Sequence, residues 1–178
     1  METVDAWTTQ ALVAVVDDLD QTRHALHELQ QFGILPHELS LLGKGVTGSE
    51  QAAGVCVVDG SPSMLGGVGA VWSGLWGPAL SHAFVWIRYV GLVAAVGPIV
   101  ESLLDAIEDA DEADPRNISA VGDALAAMGA PAASVLQHET DLLDGKILVI
   151  VQGRLEYLLQ VQSLLLEIQV VETEFLVA

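Results

Sequence analysis

The sequence predicts an α+β protein in which two strand-helix-strand units flank a long hydrophobic insertion. Hydrophobic residues make up 52% of the 178 residues, which is enough for a sizeable core and excludes a mainly disordered chain. Short β-branched runs alternate with segments of helical periodicity in both halves, and residues 64–87 between them carry no formal charge. We therefore expect a single domain over residues 1–178, with a hydrophobic helical insertion and an acidic connector over residues 61–117.

The first half of the chain contains one strand-helix-strand unit. The β-branched run at residues 12–16 predicts a strand, because it stops at a pair of aspartates. Apolar residues then recur at helical spacing over residues 20–32, with Asp20 as the expected N-cap and Gly33 as the expected end. Residues 39–42 predict the second strand of this unit.

The second half is predicted to contain two short helices followed by another strand-helix-strand unit. Before them, residues 105–114 are strongly acidic and predict an exposed connector. The predicted elements are helices at residues 118–128 and 132–143, a strand at 146–151, a helix at 154–166 and a closing strand at 168–177.

Two such units are typical of the split βαβ arrangement, the ferredoxin-like motif. In this arrangement, helices cover one face of a mostly antiparallel sheet. The last predicted helix is rich in leucine, and we expect it to be buried on more than one face. The fold class by itself indicates no activity.

Two blocks of sequence carry a family likeness. Residues 15–42 begin with Val-Val-Asp-Asp-Leu-Asp and end with Leu-Ser-Leu-Leu, and residues 120–149 run from Ala-Val-Gly-Asp-Ala-Leu to Gly-Lys-Ile-Leu-Val. With the glycine-rich apolar stretch between them, these blocks resemble the bacterial general stress proteins described as heat-induced or low-temperature-induced. The resemblance implies a stress-related role, and it transfers no catalytic residues because that family has none established.

The charge balance excludes several classes of partner. The chain has 24 acidic residues against 6 Lys and Arg, a formal net charge of −18. A protein that neutralises phosphates needs the opposite sign, so nucleic-acid binding is excluded and an electrostatic grip on anionic lipid is disfavoured. The single cysteine, Cys56, and the acidic N-terminus predict a cytoplasmic protein.

The hydrophobic insertion has the small-residue spacing of closely packed helices. Its 24 uncharged residues would suffice to span a bilayer, but glycines, Pro78 and the lack of flanking Lys or Arg argue against a span. We interpret it as a ligand-binding surface or oligomer seam, with membrane association as an alternative. The residues assigned to this site are Gly66, Gly69, Ala70, Trp72, Ser73, Gly74, Trp76, Gly77, Phe84, Trp86 and Arg88.

Arg88 is the only formally charged residue between positions 64 and 100. An isolated guanidinium needs either water or an acidic partner. It therefore either anchors the polar head of a ligand or pairs with an acid such as Glu101 at the rim of the insertion.

No set of residues predicts catalysis or metal binding. His24 and Glu28 lie four apart on the first helix, which suits a solvated helix face. Asp17, Asp18 and Asp20 are explained by capping that helix. No serine-nucleophile or phosphate-loop motif occurs, so we expect neither cofactor nor metal.

The sequence thus favours a non-enzymatic, self-associating scaffold or stress-related protein that buries apolar surface in a homo-oligomer. An alternative is an oligomeric binder or carrier of a lipophilic small molecule, such as a quinone or lipid, in an apolar chamber. Such a chamber would be lined by Trp72, Trp76, Phe84 and Trp86. A further alternative is a membrane-associated protein or a partner of another protein.

Overall fold

A computed structural model describes residues 10–44, 82–87, 91–108, 120–128, 130, 132–168 and 172–176. The strands are β1 (Gln10–Val16), β2 (Leu39–Lys44), β3 (His82–Ile87), β4 (Gly91–Val96), β5 (Ile147–Gly153) and β6 (Glu172–Leu176). The α-helices are α1 (Leu19–Phe32), α2 (Ile99–Glu108), α3 (Ala120–Ala127), α4 (Ala132–Leu143) and α5 (Leu155–Glu167). A short 3₁₀ turn at Pro36–Glu38 precedes β2.

The strands form one six-stranded sheet in the order β3-β4-β2-β5-β1-β6. Every neighbouring pair is antiparallel. Because β1 and β2 both run antiparallel to β5, which lies between them, they are parallel to each other and are joined by α1. The predicted mixture of helices and antiparallel sheet in an α+β protein is confirmed.

Helices cover both faces of this sheet, so the expectation of a single covered face is wrong. One hydrophobic core packs α1 and α5 on the first face, and a second packs α2, α3 and α4 on the other. The cause is visible in β1, whose residues are all buried: Leu12, Ala14 and Val16 join the first core. Val13 and Val15 join the second. A strand buried on both sides has a continuous apolar run, as this one does.

Helix α1 begins one residue earlier than predicted, and its N-cap is Asp18 rather than Asp20. The backbone N–H of Gln21 donates to Asp18 Oδ1 at 2.8 Å. Asp20 instead lies in the first turn, with its Oδ1 3.2 Å from Arg23 Nη1 on the surface. The predicted end at Gly33 is confirmed, since this residue has a φ of 107° in the left-handed region that favours glycine.

The insertion is not wholly helical. Its residues 82–96 contain the antiparallel pair β3 and β4, and α2 follows directly. Helix α2 also reaches into the acidic segment, so that the predicted connector started too early. The helix forms there because Ile99 and Leu103 recur at helical spacing and are buried against the sheet.

The turn between β4 and α2 requires glycine at position 97. Gly97 has a φ of 95°, and a Cβ built on it would lie 2.2 Å from the backbone oxygen of Leu39. Ser40 of β2 accepts the N–H of Ile99 on its Oγ at 3.0 Å. This close approach fixes the start of α2 against the neighbouring strand.

The elements of the second half follow the sequence prediction closely. Helix α4 has the predicted bounds, and β5 and α5 differ by one or two residues at their ends. The expectation that α5 is buried on more than one face is wrong for the chain by itself. Its buried residues are Leu158, Val161 and Leu165, all on one side of the helix.

Candidate functional site

A cluster of polar side chains lies between α4 and the edge strand β6. His138 and Asp141 of α4 are only 1% and 2% exposed, although the surrounding positions of the helix belong to a hydrophobic core. Ionisable side chains are seldom buried to this extent unless they are paired. Among the described residues, His138 and Asp141 are the buried ionisable side chains, and we therefore treat their cluster as the candidate site.

The imidazole ring of His138 lies between two carboxylates. Its Nε2 is 3.0 Å from Glu174 Oε2 of β6, within hydrogen-bond distance. Its Nδ1 is 3.6 Å from Asp141 Oδ2, which is too long for a hydrogen bond. Both of these last two atoms are buried without a hydrogen-bond partner among the described residues.

Further donors hold the two carboxylates in place. The hydroxyl of Ser134 donates to Glu174 Oε1, the second oxygen of the same carboxylate. Gln137 Nε2 donates to Asp141 Oδ1 at 3.2 Å, and Lys146 Nζ lies 3.4 Å from that oxygen. Ser134 and His138 of α4 therefore both contact the carboxylate of Glu174, and Asp141 pairs with Lys146, the residue before β5.

The periodicities of the two elements explain this arrangement. Ser134, His138 and Asp141 are separated by four and three residues, so they share one side of α4. In β6, Thr173 and Phe175 face α5 while Glu174 faces α4, because successive side chains of a strand alternate. The register agrees, since Glu174 pairs with Val13 and Phe175 with Leu12 of β1. These two residues of β1 belong to opposite cores.

The cluster connects α4 to β6 and is not arranged as a nucleophilic site. Ser134 bonds to the carboxylate of Glu174 and not to His138, so no serine-base pair is formed. The ring itself is almost fully buried. Among the described residues, no group of three or more histidine, cysteine or acidic side chains could hold a metal ion.

A second feature is an apolar stripe on the outside of α5. Leu155, Leu159 and Leu166 are 43%, 47% and 55% exposed, and their spacing places them on one side of the helix. Gln162 lies on the same side and donates to Thr173 Oγ1 at 3.1 Å. The stripe therefore borders β6, at the edge of the sheet.

The opposite flank of α5 contacts α1. The rings of Phe32 and Tyr157 have centroids 5.6 Å apart. Partial burial raises the pKa of Tyr157 above its usual value of 10.0, and the nearby carboxylate of Glu38 raises this pKa further. The phenol therefore stays neutral to a higher pH than a tyrosine in water.

Comparison with known proteins adds no further information about either feature. No family model, curated protein or solved structure matches this chain. In the described part of the chain, no helix is long and apolar enough to cross a membrane.

Most of the residues assigned from the sequence to a ligand surface or oligomer seam lie outside the described residues. Phe84 and Trp86 are in β3, where they pair in register with Ala94 and Leu92 of β4. The assigned residues that lie outside the part of the chain that the structure describes are Gly66, Gly69, Ala70, Trp72, Ser73, Gly74, Trp76, Gly77 and Arg88. Glu101, the suggested partner of Arg88, is exposed in the first turn of α2.

The other groups considered in the sequence lie on the surface. His24 of α1 is exposed and Glu28 is half-buried. Asp17 and Asp18 are exposed at the start of the same helix.

The His138 cluster is not among the sites predicted from the sequence. The spacing of Ser134, His138 and Asp141 on an otherwise apolar helix face was a usable signal for a buried polar group. Glu174 has no such signal, because it is 36 residues from His138 and the contact depends on the register of β6.

Proposed function

We propose that this chain is a non-enzymatic scaffold that associates with copies of itself through the outer side of α5. The observation that carries this proposal is the stripe formed by Leu155, Leu159 and Leu166, each more than two-fifths exposed. Grouped apolar side chains on a soluble surface mark interaction sites, whereas single exposed leucines are ordinary. The high hydrophobic content of 52% supports the same proposal.

The partner that suits this stripe is a second copy of the chain. A net charge of −18 disfavours nucleic acid and anionic lipid as the covering surface. The stripe extends over about 16 Å of helix, long enough for two helices to pack along it. Around a twofold axis, two antiparallel α5 helices would each bury the same leucines against the other.

Size-exclusion chromatography with light scattering tests this proposal. We expect the unmodified chain to have at least twice the monomer mass and Leu159→Glu to have the monomer mass, because a charge at the centre of the stripe opposes burial. Leu136→Glu is the matched control, since Leu136 is 67% exposed on α4, away from the stripe. A monomeric unmodified chain, or equal masses for the two variants, would contradict the proposal.

The same preparations distinguish the scaffold from a carrier of a lipophilic molecule. Mass spectrometry of an organic extract should find no lipophile in stoichiometric amount. A stoichiometric quinone or lipid would overturn the scaffold proposal in favour of the carrier. A requirement for detergent would instead favour membrane association.

We further propose that β1, α1, β2, β5, α5 and β6 form a ferredoxin-like unit. The strand order β6-β1-β5-β2, with β5 between the parallel strands β1 and β2, supports this assignment. So does the location of α1 and α5 on one face. Nuclear Overhauser effects should connect β5 to both β1 and β2, and contacts directly between β1 and β2 would contradict it.

A stress-related role in the cytoplasm is the remaining part of the proposal. It is supported by the resemblance of residues 15–42 and 120–149 to the general stress proteins. The abundance of the protein in the soluble fraction should rise after a heat or cold shock. An abundance that stays constant under both conditions would contradict this role.

A further inference from the structure

The position of His138 between two carboxylates has a chemical consequence. A neutral imidazole has one N–H, and its other nitrogen is an acceptor. If Nε2 donates to Glu174, the lone pair of Nδ1 faces Asp141 Oδ2 at 3.6 Å; in the other tautomer, a lone pair faces Glu174. Only the doubly protonated ring presents a donor to both acids.

We propose that the charge state of His138 controls how firmly the edge strand β6 is held to α4. The device consists of Ser134, His138 and Glu174, which we call the β6 clamp. It tightens when the ring is doubly protonated and loosens when the ring is neutral. This regulation does not depend on the self-association proposed above.

The charged groups around the ring are consistent with this behaviour. Glu174 approaches from β6 and Asp141 from α4 itself, while Lys146, the residue before β5, pairs with Asp141. A doubly protonated ring and Lys146 together balance the two carboxylates. Glu139, the next residue of α4, is half-buried.

Strand β6 is well placed to respond, because among the described strands it lies at one end of the sheet and has β1 as its single neighbour. Its side chains are held from both helical layers, by the clamp on one face and by Gln162 with Thr173 on the other. Loosening the clamp should increase the opening of β6 and expose the edge of β1. Such an edge is a template for pairing with other chains, so the clamp also protects against aggregation.

Native-state hydrogen exchange of the β6 amides tests the clamp. We expect protection to fall by about fivefold between about pH 5 and about pH 8, after correction for intrinsic rates. Protection in the interior of β5 should not change with it. In His138→Gln, β6 should be weakly protected at every pH, because the amide cannot gain a proton.

His24→Gln is the matched control, since His24 is exposed on α1, which packs on the face of the sheet opposite to α4. It should behave as the unmodified chain. The proposal is overturned if His138→Gln retains the pH dependence or if His24→Gln loses it.

A measurement on the unmodified chain covers the case in which His138→Gln does not fold. The ring resonances of His138 and the exchange of the β6 amides should change with the same pH midpoint. Different midpoints would overturn the proposal. Glu174→Gln should also flatten the pH dependence of β6, because the ring then faces a single carboxylate.

Discussion

The two faces of the sheet hold the edge strand β6 in different ways. Towards α5, Phe175 packs against the apolar core and Thr173 accepts one neutral hydrogen bond from Gln162. Towards α4, Glu174 accepts the Ser134 hydroxyl and lies within hydrogen-bond distance of the His138 ring, in a cluster that also contains buried Asp141. One attachment is mostly apolar packing, and the other is a set of ionisable groups.

The two attachments should respond differently to pH and salt. Apolar packing has no charge to lose, so its strength depends little on pH or salt. A charge-assisted contact is stronger per bond but depends on protonation and on its partners. We therefore expect a mutation on the α5 side to lower the free energy of unfolding by the same amount at every pH and salt concentration. A mutation on the α4 side should have an effect that varies with pH and salt.

Removing a buried leucine from α5 should have the largest effect. Leu158 is fully buried, and Leu158→Ala should lower the free energy of unfolding by about 2–5 kcal/mol, through lost burial and a cavity. The loss should be the same at low and high salt. Urea unfolding at low and at high salt measures the loss and its dependence on salt.

The adjacent residue provides the control for this substitution. Leu159 is 47% exposed, so Leu159→Ala should change stability by less than about 0.5 kcal/mol. Equal losses for the two variants would show that the described burial of α5 is wrong. A salt-dependent loss for Leu158→Ala would remove the contrast between the two faces.

Removing a donor from the β6 clamp should have a smaller effect. Ser134→Ala deletes the hydroxyl that donates to Glu174, and we expect a loss of about 0.5–1.5 kcal/mol. The lower end is favoured because the Glu174 side chain is 28% exposed and water replaces part of the bond. Urea unfolding, together with hydrogen exchange of the β6 amides, should locate the loss at this strand.

Ser163→Ala is the control on the other helical layer. Ser163 is exposed and its hydroxyl donates to the backbone oxygen of Leu159 in the preceding turn. Its removal should change stability by less than about 0.5 kcal/mol. If it costs as much as Ser134→Ala, the clamp contributes nothing beyond a local serine contact.

The sequence predicts an element correctly where that element alone determines the pattern. Helix α4 has the predicted bounds because its apolar period and its flanking breakers are local. The two covered faces were missed, although the uninterrupted apolar run of β1 indicates burial on both sides. The sequence does not predict the one-sided burial of α5. Leucines lie around much of this helix, so the hydrophobic pattern does not show which side is buried.

The clamp could not be predicted for a different reason. Its contact between His138 and Glu174 is made by two elements whose relative position is set by the register of β6 on β1. Register depends on the whole hydrophobic pattern of the sheet and not on the residues that it brings together. From the sequence, His138 was one of several scattered histidines.

The smallest expected effect concerns Tyr157, which marks the contact between α1 and α5. Burial, and to a lesser extent the Glu38 carboxylate, raises its pKa above 10.0, so the folded chain keeps the proton that the unfolded chain releases near that pH. Stability from this source is complete below pH 10.0 and falls as the pH rises towards the raised pKa. Tyr157→Phe cannot ionise and should lose less stability between about pH 9 and about pH 11. Urea unfolding at the two pH values measures the difference, and an identical alkaline loss in both chains would show that Tyr157 plays no part in it.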